Sequence, residues 1–179
     1  MRPEAIWLVA FYCGSHRFLL EPLAAELTAV FKVPVKQHAP SFDPEAAFDA
    51  SRGRYNSRVL LARLLEQAPP GSSRVLGVTG VDLFIPVLTF VFGEAQLDGR
   101  AAVVSSHRLD SESYGLPADP DLLLRRLCKE AIHELGHTYN LLHCPDGRCV
   151  MASSMQVELI DIKSSRFCPD CLQELRRRM

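Results

Sequence analysis

Three observations in the sequence predict an α/β fold built on a mixed, mostly parallel sheet with one antiparallel edge strand. The first half alternates apolar β-branched runs with amphipathic helical stretches, the order that builds parallel βαβ units with helices packed on the sheet. Two later runs, Leu88–Phe92 and Ala101–Ser105, flank Asp98-Gly99, a hairpin signal that makes one of them antiparallel. A long amphipathic helix then leads into a cysteine-bearing C-terminal part. At 179 residues the chain fits one domain, with a sheet-and-helix part over 1–139 and a smaller part over 140–179.

Each element has its own signal. Ile6–Tyr12 is continuously apolar, as a central strand covered on both faces requires. Ser15 is placed to cap a helix over 16–31 whose stripe is Leu19, Leu20, Leu23, Leu27, Val30 and Phe31. Lys32–Gln37 reads as a short second strand, and the Pro-, Asp- and Gly-rich stretch 39–56 as a surface loop. Ser57 opens a helix to Gln67 that buries Val59, Leu60, Leu61, Leu64 and Leu65, and the APPGSS stretch ends it. Arg74–Thr79 is a third buried strand. Of the hairpin pair, the Leu88–Glu94 segment is the expected edge, a row of backbone groups open to an extended peptide. Residues 106–118 form a polar loop. Asp119-Pro120 reads as N-cap then first helical residue, starting a helix over 120–139 with Leu124, Leu127, Cys128, Ala131 and Leu135 facing the sheet. Gly136 inside that helix costs ~1 kcal/mol in propensity, which a close approach by the sheet or a substrate would rationalise.

The chemistry concentrates in HELGHTYNLLHCPDGRCVM, residues 133–151. His133 and His137 stand one helical turn apart, so both imidazoles leave one face about 6 Å apart. His143, six residues on, completes three nitrogen donors and leaves one tetrahedral zinc position open for water, the mark of a catalytic site. Glu134 reaches that water without binding the metal, as a general base must. HExxH alone also occurs in helices whose histidines are merely packed. His143 and the following Met151 extend it to the metzincin signature with its Met-turn. Asn140 replaces the glycine of that pattern and tolerates the same left-handed turn. Met151 is read as an apolar floor below the histidines, or as an ordinary core methionine.

Cys144, Cys149, Cys168 and Cys171 give Cys-x₄-Cys and Cys-x₂-Cys clips, the spacing of a tetrahedral structural zinc. Two disulfides, unrelated buried thiols and a redox role are the alternatives. The stretch 133–151 with the downstream CPDC resembles the archaemetzincins. The resemblance implies a zinc-dependent metallopeptidase with two zinc ions, one catalytic and one held by the four cysteines, acting on peptide or protein substrates. Cys13 and Cys128 read as buried thiols; His16, His38 and His107 lack ligand-like neighbours; Tyr114 and Tyr139 are phenols of unread placement.

Composition narrows the rest. A net charge of −1 favours no polyanion, and the RRR at 176–178 complements the C-terminal end of a last helix. No apolar run reaches the ~20 residues of a membrane span. AIWLVAFYC, preceded by Glu4 and without a small-residue cleavage site, reads as a strand rather than a leader. The expectation is a cytoplasmic, monomeric enzyme that binds neither nucleic acid nor membrane. The rival readings are a catalytically weak or inactive zinc-stabilised module that binds peptides or proteins, and a zinc-ribbon-like nucleic-acid binder. Glu134 argues against the first, the missing basic patch against the second.

Overall fold

The computed structural model describes residues 4–68 and 74–179. Its main sheet has five strands in the order β2 (Val35–His38), β1 (Ile6–Phe11), β5 (Arg74–Thr79), β9 (Ala101–Ser105), β8 (Gly93–Ala95). The first four run parallel and β8 is antiparallel to β9, pairing Glu94 with Val103. The mostly parallel sheet with an antiparallel edge is as the sequence predicts.

Both faces are covered, which explains the continuous apolar runs. Alternate residues of β1, β5 and β9 (Leu8, Leu76, Val104) face α1 (Leu20–Phe31) and α3 (Pro120–Thr138). The others (Val9, Val75, Val103) face Leu60, Leu61 and Leu64 of α2 (Ser57–Gln67). Val59 and Leu65 sit at the margin of that face, half-buried.

Several local expectations need correction. The first helix begins at Leu20, not 16, and Ser15 caps nothing; Gly14–Leu19 is a 3-10 turn. Pro22 supplies the reason, because it has no N–H and its ring crowds the carbonyl four residues earlier. Asn56, rather than Ser57, caps α2, its side chain accepting from the Arg58 N–H at 3.1 Å. Of APPGSS only Ala68 falls within the described residues.

The 39–56 stretch is not a plain loop. It contains a 3-10 turn, Pro44–Ala47, and two strands, β3 (Phe48–Asp49) and β4 (Arg54–Asn56). With β6 (Leu83–Ile85) and β7 (Leu88–Val91) they form a second sheet, β3-β4-β6-β7. So the expected hairpin splits: β7 pairs with β6, and β8 is the strand that folds back on β9. The 106–118 loop holds two 3-10 turns.

After α3 the chain adds α4 (Val157–Ile162), which the sequence reading lacked, and α5 (Pro169–Arg178). Leu141, Val150, Met151, Val157, Ile160 and Leu175 join the same core as α1 and α3. Apolar packing thus holds this part beside its cysteines. No described helix is long and apolar enough to cross a membrane.

Candidate active site

The site is built outward from α3. The Asp119 carboxylate accepts from the Leu122 N–H at 2.9 Å and Pro120 occupies the first turn, as its sequence signal requires. Leu123, Leu127, Ala131 and Leu135, four apart, form the buried stripe; Leu123 takes the place expected of Leu124, which is half-buried. The stripe fixes the rotation of the helix and so aims His133, Glu134 and His137 together.

The helix stops because Asn140 turns left-handed at φ 63°. The N–H groups of Asn140 and Leu141 donate back to the carbonyls of His137 and Gly136, at 2.9 and 3.1 Å. The chain reverses and delivers His143 beside the other two imidazoles. One ring nitrogen from each of His133, His137 and His143 lies within 4.8 Å of the other two.

Hydrogen bonds set the ring orientations. His133 Nδ1 donates to the Val150 carbonyl at 2.8 Å and His137 Nδ1 to the Leu141 carbonyl at 2.7 Å. Both Nε2 lone pairs are thereby bare, and they face each other at 3.0 Å. Burial, with the Lys163 ammonium adding to it, pushes His133 down to about 2; burial lowers His137 as well. Neutral imidazoles with converging lone pairs repel unless a cation sits among them, and three such donors fit zinc.

Glu134 lines the same site. Burial raises its carboxyl well above the usual range, and the carboxylates of Glu130 and Glu94 push the same way against Lys163. A carboxylate so raised is a stronger proton acceptor. The edge strand closes over it at Gly93, where an added Cβ would stand 2.7 Å from Glu134 Cγ. The cleft has a volume of about 520 Å³ and is lined by residues 88–95, the three histidines, Glu130, Glu134 and residues 153–155. Both β7 and β8 are last in their sheets, so the expected Leu88–Glu94 edge borders the site as two short strands. Asp98, in the turn after β8, donates its N–H to the His137 carbonyl at 3.0 Å and ties edge to helix.

The four cysteine sulfurs of Cys144, Cys149, Cys168 and Cys171 also lie within 4.8 Å of one another, and none is bridged. Cys149 Sγ accepts from the N–H groups of Met151 and Cys168, at 3.4 and 3.3 Å. This donor set fits a closed zinc site. Met151 is fully buried, but its close partner is Gly136, where an added Cβ would stand 2.5 Å from Sδ. The tight approach expected at Gly136 is real, and Met151 makes it rather than sheet or substrate.

The remaining candidates sit elsewhere. Cys13 and Cys128 are buried among apolar side chains. His16 is held by Ser106 and Asp110, and His38 stacks on Trp7. Tyr139 is buried, its hydroxyl donating to Glu4, and Tyr114 donates to the Arg108 carbonyl; neither lines the cleft. Sequence reasoning missed Gly93, Glu94, Glu130 and Lys163. Only Glu130 stands as a charge inside an otherwise buried run; Gly93, Glu94 and Lys163 lie mostly among half-buried or exposed neighbours.

Comparison with known proteins agrees with this geometry. The model of peptidase family M54 matches residues 45–177. The archaemetzincin of Methanocaldococcus jannaschii is 46% identical over 140 residues, covering 78% of this chain and 76% of its own. The crystal structure of archaemetzincin from Methanopyrus kandleri superposes with a TM-score of 0.85 at 39% identity, over 98% of this chain and 95% of that one. A zinc-dependent peptidase from Methanocorpusculum labreanum gives a TM-score of 0.83 at 30% identity, covering 95% of this chain and 99% of that one. This chain thus belongs to peptidase family M54, alongside the archaemetzincins, and is a zinc metallopeptidase.

Proposed function

We propose that His133, His137 and His143 hold the catalytic zinc and that Glu134 is the general base of peptide-bond hydrolysis. The observation that carries this reading is that three converging imidazoles and Glu134 line one cleft. Zinc bound there supplies a Lewis acid that polarises a carbonyl and acidifies water toward a pKa of ~7. Glu134 takes a proton from the attacking water and passes it to the departing amine nitrogen. The free edges of β7 and β8 align an extended peptide as an added strand. Val150 and Leu141 keep the two helical imidazoles in the Nδ1-protonated tautomer.

Cys144, Cys149, Cys168 and Cys171 hold a second, structural zinc in the same reading, and Met151 forms the Met-turn. Residues 1–179 then work as one metallopeptidase domain. The test is Glu134→Ala in the zinc-loaded chain. Two zinc ions per chain with peptide cleavage reduced by at least about 10²-fold is the expected result. Cleavage at the unsubstituted rate, or loss of the histidine-site metal, overturns the assignment.

A further inference from the structure

Glu130 and Lys163 form an ion pair in the interior, Oε1 to Nζ 2.7 Å, with side chains 4% and 0% exposed. Such a pair is a weak source of stability, because removing two charges from water offsets their attraction. What it fixes here is geometry. The Lys163 ammonium also donates to the Ala152 carbonyl at 3.3 Å, joining α3 to the chain just beyond Met151.

From Lys163 the chain runs alongside residues 148–150. The Ser164 N–H donates to the Arg148 carbonyl at 2.8 Å and the Val150 N–H to the Arg166 carbonyl at 3.0 Å. Val150 in turn offers its carbonyl to His133 Nδ1 at 2.8 Å. A continuous set of contacts thus runs from the ion pair to the orientation of one imidazole. Partners of this kind set ligand geometry and metal affinity.

We propose that Glu130 and Lys163 are positioning residues for the metal site, holding the 148–152 segment so that the Val150 carbonyl orients His133. This rests on the reading of His133 as a zinc ligand. Lys163 does not line the cleft; Glu130 does, and its role here runs through Lys163.

The test replaces both charges, Glu130→Met with Lys163→Met, in the full zinc-loaded chain. Three properties are read: the urea midpoint, zinc affinity at the histidines by chelator competition, and the visible bands of cobalt substituted there. The thiolate–cobalt charge-transfer band of the cysteine site serves as internal reference. Expected are a preserved urea midpoint, a histidine-site affinity lowered about 10–100-fold, altered cobalt bands and an unchanged thiolate band. A stable variant with unchanged affinity and bands reduces the pair to a structural role and overturns the proposal.

Should the double variant not fold, amide exchange decides. Zinc-loaded wild type is compared with His137→Ala, which keeps the cysteine metal. By reciprocity of coupling, the Val150 and Ser164 amides lose protection about tenfold in His137→Ala; equal protection overturns the proposal. A wild-type chain that binds no metal at its histidines overturns the metal reading, and this inference with it, whereas failure confined to the variants overturns the inference alone.

Discussion

Met151 Sδ lies against the backbone of Gly136 so closely that a single added Cβ would stand 2.5 Å away. Both residues are buried, and Phe167 closes the same spot at 3.4 Å. Gly136→Ala therefore sets two effects against each other. Helix propensity gains ~1 kcal/mol, while overpacking a filled core costs about 1–3 kcal/mol. The net change is destabilising, read as a lower urea midpoint at constant m-value. A rise in midpoint would mean that Met151 yields freely.

At Gly93 the obstacle is the proposed base itself. A Cβ there would lie 2.7 Å from both Glu134 Cγ and the Val103 carbonyl. The carbonyl belongs to β9 and is held in the sheet, so β8 has to shift away from it and the Glu134 side chain has to move as well. Gly93→Ala is expected to retain two zinc ions per chain while kcat/KM falls by about 10²-fold, the scale of a 1 Å misplacement. Metal loss in step with activity would place the damage at the imidazoles instead.

Asn140 carries the turn at φ 63° that returns the chain to His143. A side chain without a local hydrogen-bonding group pays ~1–2 kcal/mol for that conformation. Asn140→Ala should accordingly lower stability by about 1 kcal/mol and weaken metal binding at the histidines, with Asn140→Gly close to wild type in both. Calorimetry and chelator competition on the two variants check the order.

The acid limit of stability is read at Asp161. Its carboxylate takes two bonds from Arg126, at 2.8 and 2.7 Å, and that guanidinium holds the carboxyl below the usual range. A carboxyl depressed in the folded state contributes stability that is complete above its unfolded value, ~3.9. That contribution fades as pH drops through the lower folded value. Asp161→Asn should be less stable near neutrality and show a flatter decline below about pH 4. Parallel declines in the two proteins would remove Asp161 from the account.

Much of this was legible because its causes are local. Asp119-Pro120 starts α3, the 133–137 spacing fits one turn, and Asn140 suits a left-handed stop. Each is a statement about neighbours in sequence. The βαβ core was legible for a related reason, since strands covered on both faces carry no polar alternation. What escaped was built from distant parts. β3 and β4 are two and three residues long, too short for any period to register, and their Pro, Asp and Gly content suggests a loop. Pro22 outweighed the capping signal of Ser15. Glu130 and Lys163 lie 33 positions apart, and nothing in either neighbourhood announces the other. Gly136 gave the right warning of crowding without naming the side chain responsible.

Leu141, Val150, Met151, Ile160 and Leu175 complete the same apolar interior as α1 and α3, so the histidine-bearing helix and the cysteine-bearing tail share one core. A fragment ending near residue 139 would lose those five side chains from its interior, and the excised tail would lose the helices whose core they join. Removing the tail is therefore expected to cost more stability than trimming an exposed loop.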